Sequence, residues 1–292
     1  MTDKNLLGKP DPDQLGPEGE LRHDRRLGSQ ELTDWRTPLG RFFAVVFHRI
    51  SRALGPNKTL VLLLVIGAAI ATVLTYIVSE VYEAVTETDG VALLDQPLLD
   101  AAIAVRSPWL DGAVTHFTDI AGVIGMPVLA VVTMLVLALR RRSWTPVILI
   151  SAAGVGSLLM TVAGKELIGR ARPEIEDAVP PYETSPSFPS GHTLNATVIA
   201  GVIVYLLILR QSSVVARVLT ITVAAVFVIT IGASRVFLGH HWFTDVLAAW
   251  ILGLAWLAVV ITAHRLYLTT RERDAAGVDP APTRRRRADR RP

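Results

Sequence analysis

Residues 218–263 read VLTITVAAVFVITIGASRVFLGHHWFTDVLAAWILGLAWLAVVITA. Two apolar runs, Val218–Ser234 and Val246–Ala263, flank a short segment that carries Arg235, His240, His241 and Asp245. A membrane-crossing helix needs roughly 20 apolar residues, with a range of about 17–25. Both runs sit at the short end of that range, so their helices are expected to extend into the flanks. The stretch therefore predicts a helical hairpin in a bilayer, with ionisable side chains gathered at its turn. Such groups are expensive beside a membrane and mark functional sites by default.

Four further runs lie upstream: Thr59–Ser79, Ile120–Leu139, Ser143–Gly164 and Thr193–Leu209. Any one of them could be a core helix of a soluble protein, but six in one chain predict an all-α, six-transmembrane-helix bundle. Of the 292 residues, 51% are hydrophobic and none is cysteine. Disulfides, thiolate chemistry and cysteine metal sites are thereby excluded.

Arginine and lysine placement sets the expected orientation. Arg41, Arg49, Arg52 and Lys58 precede the first run, and Arg140, Arg141 and Arg142 follow the second. Arg210 and Arg217 follow the fourth, and Arg265, Arg271 and Arg273 follow the last. Residues 80–119 instead carry eight acids and a single arginine, Arg106. Both termini are expected to be cytoplasmic, which brings the ends of the third and fifth runs and the starts of the fourth and sixth to the extracytoplasmic side.

Around a six-span domain at residues 59–263, the flanks read differently. Residues 1–38 are polar and rich in Gly, Pro and Asp, predicting a disordered cytoplasmic N-terminus. No signal peptide is visible there. Residues 39–58 read as an interfacial helix, with Phe42, Phe43, Val46, Phe47 and Ile50 among arginines, or as an extension of the first span. Residues 91–119 have near-helical apolar spacing interrupted by Pro108, suggesting two short amphipathic helices on the outer surface. Residues 271–292 read as a disordered basic tail. It could touch acidic headgroups or nucleic acid, but a solvated tail is expected and no nucleic-acid partner is called for.

Three segments carry the chemistry: KELIGRARP with Lys165, Arg172 and Pro173; PSGH with Ser190, Gly191 and His192; and SRVFLGHHWFTD with Ser234, Arg235, His241 and Asp245. Cations recognise phosphate, one histidine can attack it and another can protonate the leaving group. Ser190, Gly191 and His192 open the fourth span, where free backbone N–H groups suit an anion. Ser190 could also be an ordinary N-cap, and Gly191 could simply serve the turn. An imidazole titrating near ~6.5 suits His192 for protonating a leaving oxygen. His241 and Asp245, four apart, share a helical face; the carboxylate can hold one imidazole nitrogen as N–H and leave the other free, or the pair can merely cap a helix. Lys165, Arg172 and Arg235 could surround phosphate oxygens; taken singly, each could snorkel to the interface. Glu174, Glu176, Asp177 and Glu183 could be read as a metal site, but a solvated loop is the expectation.

K-x6-RP, PSGH and SR-x5-H-x3-D, in this order, resemble the three signature motifs of the type 2 phosphatidic acid phosphatase (PAP2) superfamily, which includes glucose-6-phosphatase and the vanadium haloperoxidases. Every signature position is present, and the resemblance covers about residues 59–263. It implies a bacterial-type integral membrane lipid phosphatase. His241 would form a phosphohistidine and Asp245 would orient it. His192 would protonate the leaving group, and Lys165, Arg172, Ser190, Gly191 and Arg235 would bind phosphate. No metal or other cofactor is implied.

The reading is thus of a bacterial plasma-membrane enzyme with an extracytoplasmic site. Its substrate would be a polyprenyl diphosphate such as undecaprenyl diphosphate, phosphatidic acid or phosphatidylglycerol phosphate. A phosphotransferase passing the phosphate to an alcohol is the alternative. A transporter is remote, because its charges should lie mid-span. Headgroup, tail, acceptor and oligomeric state are not legible.

Overall fold

In the computed structural model, residues 24–27, 30–35, 37–54, 91–277 and a few positions between 66 and 76 are described. The principal helices are α1 (Pro38–Leu54), α2 (Asp95–Ala104), α3 (Pro108–Thr118), α4 (Gly125–Arg141), α5 (Thr145–Ile168), α6 (Gly191–Ile208), α7 (Val214–Phe237) and α8 (Phe243–Gly277). A two-stranded antiparallel hairpin, β1 (Arg26–Leu27) with β2 (Gln30–Glu31), precedes them.

Four helices are long and apolar enough to cross a membrane: α5, α6, α7 and the Phe243–Thr269 part of α8. Pro108–Ala121 and Gly125–Arg141, bent by 46° at their junction, add a fifth if the bent pair is a single span. The run Ile120–Leu139 is therefore not one helix from its first residue: Asp119–Ala121 forms a 3-10 turn and α4 begins at Gly125. The run Thr59–Ser79 falls largely outside the described residues, and with it the sixth span of the expected bundle.

The core lies where α5, α6 and α8 meet, around Met160, Leu194, Val198, Val202, Leu252 and Trp256, all buried. Close approach is made possible by small residues, as is usual between membrane helices. At Gly156 a Cβ would lie 2.0 Å from the Trp256 ring, so α5 and α8 can pack this closely only with glycine there. By contrast α7 leaves Val215, Val218, Leu219, Val223 and Ile229 exposed. An apolar helix face turned outward needs a hydrocarbon solvent, and its backbone is satisfied within the helix.

Two flanking segments depart from the expected disorder. In the N-terminal stretch, Asp24 is buried, 3.0 Å from the Arg210 guanidinium. Trp35 Nε1 donates to Thr269 Oγ1 at 2.9 Å, and Arg265 stacks on the Trp35 ring. Polar composition thus hid a few specific anchors. At the other end, α8 continues to Gly277, because Arg, Glu and Ala sustain a helix without any apolar face. In helix α1, Ala44 and Phe47 are buried and Phe42 is exposed.

Candidate active site

The three motif segments meet at one end of the bundle. Lys165 stands near the C-terminal end of α5 and Arg172 on the loop after it. Gly191 and His192 start α6, Arg235 lies in the last turn of α7, His241 in the α7–α8 turn and Asp245 in the first turn of α8. Gly239 makes that turn possible: its φ is +70°, and a Cβ would stand 2.3 Å from the Asp177 carbonyl oxygen. A cavity of about 790 Å³ opens among these residues. Lys165, Glu183, Ser185, Gly191, His192 and His241 line its polar end, while Met126, Ala130, Met134, Gly154 and Leu158 line an apolar groove between α4 and α5.

His241 is buried, and its two ring nitrogens have different surroundings. Nε2 lies 3.3 Å from Arg172 Nη1. Nδ1 lies 3.3 Å from Ser187 Oγ and 3.6 Å from Asp245 Oδ2. Asp245 and Ser187 both stand beside the imidazole and are joined to each other: the Ser187 hydroxyl donates to Asp245 Oδ2 at 2.5 Å. The Trp242 N–H donates to the same oxygen at 3.0 Å. Burial, then the charges of Arg172 and Arg235, push the His241 imidazole well below its ordinary 6.5. It is neutral at neutral pH, the form that can attack phosphorus.

Cations ring the same space, and two of them, Arg172 and Arg235, are paired with Glu183. Its Oε2 lies 2.7 Å from Arg172 Nη2, and its Oε1 is ion-paired with Arg235. Burial alone would raise the Glu183 carboxyl; the Arg235 and Arg172 guanidiniums outweigh it and hold the group at about 2. Glu183 is thus not part of a solvated acidic loop, whereas Glu174 and Glu176 are exposed. Lys165 Nζ donates to Ser185 Oγ at 3.1 Å and to the Pro186 carbonyl. Arg172 Nε donates to the Ser185 carbonyl at 2.7 Å.

Ser190 is placed differently from the other motif members. It is buried, shares a 2.9 Å hydrogen bond with Thr193 Oγ1, and makes no side-chain cap to α6. Its backbone N–H donates to the Asp245 carbonyl at 3.3 Å, which ties the PSGH segment to α8. Ser234 also turns away, donating to Thr118 Oγ1 at 2.9 Å.

Four residues bear on the site without having been read as part of it: Ser187, Glu183, Arg170 and Asp95. Arg170 Nη1 donates to Asp245 Oδ1 at 2.6 Å, and Nη2 donates to Asp95 Oδ2 at 2.8 Å. Asp95 and Glu183 lie outside the three motif segments and Arg170 two positions before Arg172, so none of them carries a spacing signal of its own. Only the four-residue proximity of Ser187 and Gly191 could have hinted at a role. Among the described residues, no three His, Asp or Glu side chains are grouped to hold a metal ion.

Residues 145–267 match the family model of the PAP2 superfamily. The chain is 33% identical over 172 residues to phosphatidylglycerophosphatase B of Bacillus subtilis (strain 168), an alignment spanning 59% of this chain and 83% of that protein. It is similar to the crystal structure of a transmembrane PAP2 type phosphatidylglycerolphosphate phosphatase from Bacillus subtilis, with a TM-score of 0.55 and 26% identity. That match covers 76% of this chain and 97% of the solved one.

Proposed function

The chain belongs to the PAP2 superfamily, and we propose that it is an integral-membrane lipid phosphatase that works without a metal and through a phosphohistidine on His241. Phosphatidylglycerol phosphate is the foremost substrate, because the curated relative bears the name of that activity. Phosphatidic acid and polyprenyl diphosphates present the same terminal phosphate and are the comparison substrates. The observation that carries the lipid reading is the cavity of about 790 Å³, apolar between α4 and α5 and polar at Lys165, His192 and His241. A phosphate head fits the polar end, and a hydrocarbon tail fits the groove facing the bilayer.

Lys165, Arg172 and Arg235 hold the non-bridging oxygens, with the N–H groups opening α6 aimed at the same anion. His241 Nε2 forms a bond to phosphorus as the bond from phosphorus to the lipid oxygen breaks. His192 gives that oxygen its proton, releasing the lipid alcohol. Water then attacks the phosphohistidine, His192 takes the water proton, and inorganic phosphate departs from a neutral His241. No step calls for a metal, since three cations already neutralise the developing charge. The arginine pattern supports cytoplasmic termini and a site on the extracytoplasmic side of a plasma membrane.

The test is phosphate release from the three lipid phosphates by protein purified in detergent. Release should be fastest from phosphatidylglycerol phosphate, persist in EDTA and be inhibited by vanadate, whose geometry resembles the transition state. Activity abolished by EDTA and restored by Mg²⁺ would overturn the metal-free mechanism, and inertness toward every lipid phosphate would overturn the function.

A further inference from the structure

We propose that Arg170, anchored on Asp95, is a positioning residue for the reaction: it holds in place both groups that face His241 Nδ1. This rests on the reading of His241 as nucleophile and Asp245 as its orienting carboxylate. The guanidinium works as a two-pronged clamp. Nη1 donates to Asp245 Oδ1 at 2.6 Å and to Thr244 Oγ1 at 2.8 Å, while Nη2 donates to Asp95 Oδ2 at 2.8 Å. The backbone of the same residue does a second task, since the Arg170 carbonyl accepts the Ser187 N–H at 2.8 Å. Ser187 Oγ and Asp245 Oδ2 lie 3.3 and 3.6 Å from His241 Nδ1. One residue therefore fixes both.

Asp95 fixes Arg170 in turn. It opens α2 directly after a 3-10 turn at Val91–Leu94, and it is itself held by the start of α8. Its Oδ1 accepts the Thr244 N–H at 2.8 Å and its Oδ2 accepts Thr244 Oγ1 at 2.7 Å. Trp242 covers the clamp, its ring centroid 5.6 Å from the Arg170 guanidinium carbon. Asp245 has no exposed side-chain surface and Asp95 and Arg170 have little. A carboxylate so buried needs a fixed cation, and removing that cation leaves its charge without compensation. Lysine cannot replace the clamp, because a point charge does not reach two carboxylates with the planar fork of an arginine.

The experiment compares wild type, Arg170→Ala, Arg170→Lys and Asp95→Asn as full-length protein in detergent. It follows steady-state kinetics, the single-turnover rate of ³²P attachment to His241, and thermal unfolding. Arg170→Ala should lower kcat and the attachment rate by about 10–100-fold, the usual scale for losing a partner that orients a reacting side chain. KM should stay within about threefold, and added guanidinium should restore part of the attachment rate. Arg170→Lys should fall between wild type and Arg170→Ala, and Asp95→Asn should lower kcat without changing KM. A folded Arg170→Ala protein with wild-type kcat, or one that loses KM and kcat together without guanidinium rescue, overturns the proposal. If Arg170→Ala does not fold, a wild-type attachment rate in Arg170→Lys overturns it, and a lowered rate at unchanged KM supports it. Wild type that releases phosphate without labelling His241 would instead defeat the underlying reading.

Discussion

The Glu183 carboxylate lies 2.7 Å from the Arg172 guanidinium and reaches Arg235 with its other oxygen. Under the proposed function it occupies the place that the arriving phosphate would take. Hydrogen bonds to charged groups are worth about 1.5–3 kcal/mol, so substrate and product compete with a real partner. Glu183→Gln should tighten inhibition by inorganic phosphate about tenfold and slow product release. A phosphate inhibition constant unchanged in Glu183→Gln would show that the carboxylate does not compete. The competition is insensitive to ordinary pH: the group is held at about 2 against an ordinary 4.5. Its contribution is complete above about 4.5 and fades only as pH falls toward about 2.

Ser187 Oγ reaches both His241 Nδ1 and Asp245 Oδ2, so a hydroxyl as well as a carboxylate bears on the imidazole. Ser187→Ala should lower kcat by about tenfold at constant KM, and Asp245→Ala should lower it more, because it removes the charge that favours one imidazole tautomer. Equal kcat in Ser187→Ala and wild type would leave Asp245 as the only orienting group.

His241→Ala should abolish turnover, because the covalent route is gone. His192→Ala should cost about 10²–10⁴-fold for a lipid alkoxide and much less for a nitrophenolate, which needs no proton to leave. Label trapped in alkali should stay on wild type and be absent from His241→Ala. With His241 pushed below 6.5 by burial and two arginines, protonation disables it only well below that pH. The acid limb of kcat/KM should lie below 6.5 for a substrate whose own phosphate titrates lower. A limb centred at 6.5 would assign another group.

The parts of this site legible in the sequence were those whose chemistry clashes with their surroundings. Lys165, Arg172, His192, Arg235, His241 and Asp245 are polar groups beside apolar runs, and the structure gathers them at one end of the bundle. Asp95 and Arg170 are separated by 75 positions, and their contact is a product of helix packing that no local spacing encodes. Glu183 looked like one acid among several on a loop, and only its distance to Arg172 separates it from Glu174 and Glu176. The apolar pattern located α5, α6, α7 and α8, but hydropathy alone carries no information about the bend before Gly125. Nor did low apolar content stop α8 at Arg271, since Arg, Glu and Ala there have good helix propensity.

The absence of cysteine makes topology directly testable. Single cysteines at Glu174 and Glu176, both exposed on the loop between α5 and α6, should react with a membrane-impermeant thiol reagent on intact cells. A cysteine at Arg140, in the last turn of α4, should react only after lysis. The opposite pattern would put the phosphate site on the cytoplasmic side.

The groove between α4 and α5 separates a lipid phosphatase from one that merely sits in a membrane. Gly154 lines it, and a Cβ there would meet only Ile199 Cδ1, at 3.6 Å, an ordinary contact. Gly154→Ala should therefore fold and act almost as wild type. Gly154→Leu projects three further carbons into the space assigned to the tail, well away from Arg172 and Arg235. For a long-chain lipid phosphate KM should rise by about tenfold, since each buried CH₂ displaced from the groove forfeits about 0.8 kcal/mol. For a short-chain, water-soluble phosphate ester kcat/KM should be unchanged, because the polar end is untouched. Equal losses on both substrates would mean that the leucine disturbs the helix packing and that the tail lies elsewhere.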